Sequence, residues 1–117
     1  MATDQYHEPI ELLDEDTRDI TRIIKSIQEE FEAVDWYNQR MNATNDEGLR
    51  DVLKHNRDEE LEHAAMGIEW LRRHLPELDS ELRENLFTEG PIGHHDEEEG
   101  EEEATDNKDL NIGKIKR

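Results

Sequence analysis

The chain has 117 residues, 33 acidic and 14 basic, with a net charge of −19, 32% apolar residues and no Cys. This length allows one small domain; no run approaches the roughly 18 apolar residues of a membrane span, and MATDQYHEPIELL lacks the basic-then-apolar pattern of a secretory signal. Without Cys there are no disulfides, thiolate zinc sites or iron–sulfur clusters, which fits a reducing cytoplasm, while the acidity argues against nucleic acid and favours cations as partners.

Residues 14–42 contain no Pro or Gly and follow helical spacing. Ile20, Ile23, Ile27, Val34, Tyr37 and Met41 fall on a seam spaced by threes and fours, and Ile24 and Phe31 widen it into a core-facing band. Two starts are open: Pro9 at the first helical position, or Asp14 as a later cap. Thr44-Asn45-Asp46-Glu47 fits a capping box, with Thr44 as N-cap and Glu47 reaching back. From there Leu49, Leu53, Leu61, Ala64, Ile68, Leu71 and Leu75 form an apolar stripe that Pro76 ends. A short third helix is expected over Asp79–Phe87, with Leu82 and Leu86 on one side. Two helices of about 30 residues are each about 45 Å long. The short loop between them makes them antiparallel neighbours. Such a hairpin cannot cover both sides of its apolar band, so the expected fold is all-α and homo-oligomeric.

FTEGPIG, with Gly90, Pro91 and Gly93, breaks the pattern and closes the folded part, residues 1–93. His94 to Asn107 then holds eight acids in fourteen residues and no base. Such a run repels itself and buries no core, so 94–109 reads as a disordered acidic linker. The last segment, Leu110–Arg117 (LNIGKIKR), reverses the composition, with three positive charges beside Leu110, Ile112 and Ile115. It reads either as a frayed terminus or as a docking tag on an acidic tether.

One residue violates the first seam. Between Ile27 and Val34 the spacing lands on Glu30, and an unpaired carboxylate among apolar residues is costly unless paired, protonated or metal-bound. On the second helix Glu60-Leu61-Glu62-His63 places Glu60 and His63 on one face. Glu30 lies 15 residues before the loop centre at Asn45 and Glu60 15 after it, so all three converge at one height. A carboxylate-bridged di-iron site in a four-helix bundle takes one Glu from each of two helices and Glu-x-x-His from each of the other two. This chain carries half of that set, and two chains give four Glu and two His. Four carboxylates offset two Fe²⁺. Oxygen and imidazole donors suit iron, and zinc, manganese or calcium can substitute.

Other candidates compete with simpler roles. Glu29 and Glu32 flank Glu30 as a solvated face or a cation-collecting inlet. Tyr37 reaches toward a ligand or fills core, and Trp36 suits a subunit interface. His55 and His74 read as surface residues, as do Asp58, Glu59 and Glu62. The pair His94–His95 reads as solvated rather than metal-bound.

QEEFEAVDWYNQR, HNRDEELEHAAMGIEWLRR and LFTEGPIG resemble the encapsulated ferritins of bacteria and archaea across residues 7–93, and LNIGKIKR is similar to peptides that bind the inner wall of encapsulin shells. The resemblance implies a ferritin-like hairpin with a short C-terminal helix. It also implies a dimer forming a four-helix bundle, and an annular decamer built as a pentamer of dimers. It implies a ferroxidase centre at the dimer interface with Glu30, Glu60 and His63 as iron ligands. Tyr37 and Trp36 would stand beside the centre, and Glu29 and Glu32 at a secondary uptake site. The implied activity is oxidation of Fe²⁺ by oxygen or peroxide, inside a cytoplasmic encapsulin nanocompartment reached through Leu110–Arg117, with no nucleic-acid or membrane partner. The rivals are a metal-binding adaptor without turnover and a purely structural helical oligomer. A hemerythrin-like site would need differently spaced His, and a rubrerythrin-like one would need Cys.

Overall fold

A computed structural model describes residues 5–93. The linker 94–109, the pair His94–His95 and the peptide 110–117 lie outside the described residues. Those described are helical, with no strand among them: a 3₁₀ turn at Ile10–Leu12, then α1 (Glu15–Ala43), α2 (Glu47–His74) and α3 (Pro76–Asn85). None is long and apolar enough to cross a membrane.

Both candidate starts are used, by different elements. Pro9 leads into the 3₁₀ turn, while Asp14 caps α1, its Oδ1 accepting from the Thr17 backbone N–H at 2.8 Å. Arg18 of α1 ties the two together by donating to the Ile10 carbonyl at 2.7 Å.

The loop corrects the expected capping box. The Thr44 N–H donates to the Arg40 carbonyl at 3.1 Å, which makes Thr44 the end of α1 and leaves it unable to begin α2. Asp46, an equally good capping type, does so instead. Its Oδ1 accepts from the Leu49 N–H at 2.9 Å, and the Thr44 hydroxyl accepts from the Asp46 N–H at 3.1 Å. Arg50 of α2 then reaches back to the carbonyls of Met41 and Thr44, setting a cation on the negative end of the α1 dipole.

α2 closes on Arg72, Arg73 and His74. The Glu69 carboxylate takes a fork from Arg72 at 2.9 and 2.8 Å and a further bond from Arg73 at 2.7 Å, which hold it down at about 2. Pro76 does more than stop α2: it opens α3, because its missing N–H costs nothing at a first helical position. α3 therefore runs Pro76–Asn85 rather than Asp79–Phe87, and Phe87 takes a left-handed φ of 58° just beyond its end. α3 belongs to a second unit beginning at Pro76, and within it Arg83 pairs with Asp79 at 3.0 Å.

α1 and α2 pack as an antiparallel hairpin. Its core is thin. Ala64, Gly67 and Leu71 are buried, while Leu49 and Leu61 of the expected stripe stay exposed, as do Ile24, Phe31, Trp36 and Met66. Two helices cover only the faces they turn on each other, so both flanks of the hairpin keep apolar surface open. Gly67 is an unusual choice here, since Gly in a helix interior costs about 1 kcal/mol against Ala.

Candidate metal centre

Glu30 lies thirteen residues before the end of α1 and Glu60 thirteen after the start of α2. With a short antiparallel connection, that symmetry sets the two side chains level. His63, one turn beyond Glu60, completes the group. Its Nδ1 is 3.5 Å from Glu30 Oε1 and 3.5 Å from Glu60 Oε1, and one donor atom from each residue lies within 4.8 Å of the others.

The electrostatics of the group suit a cation. Hydrogen bonding to Glu60 pushes the Glu30 carboxyl above the usual carboxylate range, helped by desolvation and by the nearby Glu60 charge and opposed by His63. Two carboxyls this close resist ionising together, and a metal ion between them would offset that charge. Ligands about 2.1 Å from one ion stand about 3.0–3.4 Å apart, depending on coordination geometry, close to the two 3.5 Å separations from His63 Nδ1. The donors are oxygens and an imidazole, a set that suits iron, manganese or zinc.

Coverage is incomplete. Glu30 and Glu60 are 25% and 27% exposed and His63 49%, so a single chain leaves the group on an open flank rather than in the buried setting that the apolar seam suggests. Beside it runs a groove of about 640 Å³, lined also by Asp19, Arg22, Ser26, Met66 and Trp70. Three donors fall short of the six of a filled octahedral shell, and the open side is where further ones can approach.

Residues 5–89 match the model of the EncFtn-like family. This chain belongs to the EncFtn-like family. A ferritin-like protein of Thermotoga maritima is 50% identical over 112 residues, 96% of this chain and 98% of that protein. An encapsulated ferritin-like protein of Rhodospirillum rubrum is 54% identical over 91 residues, 78% of this chain and 65% of that one. An encapsulin nanocompartment cargo protein of Myxococcus xanthus is 30% identical across 98% of both chains. A crystal structure of a Nitrosomonas europaea protein superposes with a TM-score of 0.73 at 56% identity, covering 76% of this chain and 98% of that chain.

In this EncFtn-like chain the other candidates stand apart from the three-residue group. Glu29, Glu32 and Glu62 are exposed on their helices. Trp36 is also exposed, and Tyr37 is half-buried with the Arg40 guanidinium 5.5 Å from its ring centroid. His55 pairs with Glu59 at 3.1 Å, and Asp58 with Lys54 at 3.0 Å. His74 stacks on Trp70 at 3.6 Å. Sequence reasoning passed over Met66 and Trp70, although positions three and seven after His63 share its face. It also passed over Gly67, whose signal is a lone glycine inside a strong helical pattern.

Proposed function

We propose that this protein is a ferroxidase whose di-iron centre is assembled from two chains. The reading rests on one observation above all. Glu30, Glu60 and His63 converge as a half-set of ligands on an open flank, and a second copy turned about a two-fold axis supplies the other half. The two hairpins then form a four-helix bundle, with a Glu helix and a Glu-x-x-His helix from each chain. Membership of the EncFtn-like family and the likeness to an encapsulated ferritin-like protein support iron as the substrate. The apolar flank away from the centre provides a second contact, through which dimers close into a ring of five.

Fe²⁺ is collected by the acidic surface through Glu29 and Glu32 and bound by paired Glu30, Glu60 and His63. The four carboxylates favour the higher charge of Fe³⁺, so each Fe²⁺ gives up one electron, and dioxygen or peroxide accepts the two. Tyr37 and Trp36, which stand apart from the ligands of their own chain, come beside the centre only when the second chain completes it. The likeness to an encapsulin cargo protein supports Leu110–Arg117 as the peptide that docks in a shell, with 94–109 as its tether. The ring therefore works in the cytoplasm inside a nanocompartment, which stores the ferric product.

Ferric absorbance after mixing protein with Fe²⁺ in air tests the proposal. The parent should oxidise Fe²⁺ well above the uncatalysed rate. Glu30→Ala and His63→Ala should each lose at least about 10-fold, since even the outer partners of a metal site are worth 10–100-fold. Variants as fast as the parent, or a parent that binds metal without turnover, would sink it.

A further inference from the structure

Gly67 is buried against α1 at the wall of the groove that it and Ile27 both line, and a side chain there would run into Ile27. A Cβ at this position would stand 2.8 Å from Ile27 Cγ1, 3.4 Å from Ile27 Cδ1 and 3.5 Å from Ile23 Cδ1. Carbon atoms in contact sit about 3.5–4.0 Å apart, so the first of these distances is a clash. Ile27 Cγ1 adjoins a branched Cβ that strongly prefers one rotamer in a helix, so it gives way less readily than the end of a flexible chain would. Relief would come from α1 and α2 moving apart by about 0.5 Å or more, or from a strained Ile27.

The place of this contact gives it a role. Ile27 is three residues before Glu30 on α1, and Gly67 four residues after His63 on α2. The contact lies about one turn from the point where His63 Nδ1 meets Glu30 Oε1 at 3.5 Å. Metal–ligand distances hold to about 0.2 Å, so a helix shift of about 0.5 Å at the neighbouring turn is enough to spoil the group.

We propose that Gly67 is a positioning residue for the metal centre: by admitting Ile27 it sets the α1–α2 spacing at which Glu30 meets Glu60 and His63. The inference rests on the reading of those three as metal ligands. It also accounts for a glycine in the middle of α2, where helix propensity favours almost any other residue.

The test is a Co²⁺ titration of the full-length protein followed by visible absorbance, comparing the parent, Gly67→Ala, Ile27→Ala and the double variant. Gly67→Ala should weaken Co²⁺ binding at least about 10-fold or change the ligand-field spectrum, the scale of losses at metal-site supports. Ile27→Ala removes the atoms that clash, so the double variant should bind within about 3-fold of Ile27→Ala alone. Gly67→Ala binding like the parent, or losing the same factor in both backgrounds, overturns the inference. If Gly67→Ala loses its helical circular dichroism, the double variant decides, and its failure to bind as Ile27→Ala does is likewise contrary. A parent that binds no Co²⁺, or binds it undiminished by Glu30→Ala, removes the metal reading itself. A failure confined to the Gly67 arm leaves that reading standing.

Discussion

Glu30 and Glu60 approach each other from neighbouring helices, and the hydrogen bond between them raises the Glu30 carboxyl above its ordinary value. Away from the centre, some carboxylates have arginine partners instead, and Glu69 is the clearest case. Its carboxyl is held at about 2, against 4.5 ordinarily, by Arg72 first and Arg73 second. A lowered folded-state value means the pairing stabilises the fold fully above about 4.5 and is lost as the pH falls through about 2. An NMR titration of the side-chain carboxyl should give a midpoint near 2, and Arg72→Gln with Arg73→Gln should bring it back toward 4.5. A midpoint near 4.5 in the parent would mean the fork does not form in solution. At this scale the sequence was informative where a residue broke a pattern. Glu30 is visible as a charge in an apolar seam, and His63 as the partner of a second Glu one turn away. Gly67 was not legible as a positioning residue, because its role lies in the absence of atoms opposite Ile27.

The two long helices were legible because 14–42 lacks Pro and Gly and both segments keep one apolar spacing. Their junction was less so. Thr44 and Asp46 are both good cap types only two residues apart, and the choice depends on where α1 ends. The carbonyl of Arg40 claims the Thr44 N–H, and that decides it. Asp46→Ala should therefore cost about 1 kcal/mol, the usual worth of an N-cap, and Thr44→Ala less, measured by urea unfolding at one fixed protein concentration because assembly contributes to stability. Equal costs, or a larger one for Thr44, would contradict the observed cap. Likewise Pro76 reads as a stop, but a proline also suits a helix start, and only α3 reveals the second use. The apolar stripe of α2 marked more core than the hairpin covers, since periodicity identifies an apolar face without saying what packs on it.

For the whole molecule, the open apolar surface and the proposed half-set of ligands point the same way. A hairpin too thin to bury Phe31, Leu61 and Met66 is also too small to complete a di-iron site. A second copy answers both needs. The net charge of −19 divides in the same way: the run from Asp96 to Asp106 belongs to the proposed tether, while Glu30 and Glu60 belong to the proposed centre. One chain shows the candidate ligands and the apolar faces, whereas the number of copies depends on how the faces of different chains meet. Native mass measured anaerobically, with and without Fe²⁺ at a defined protein concentration, tests the two-chain centre most directly. Even-numbered assemblies carrying one iron per chain are expected, with metal favouring the dimer and His63→Ala carrying little. Iron held by single chains, or assembly and iron content indifferent to His63→Ala, would contradict it.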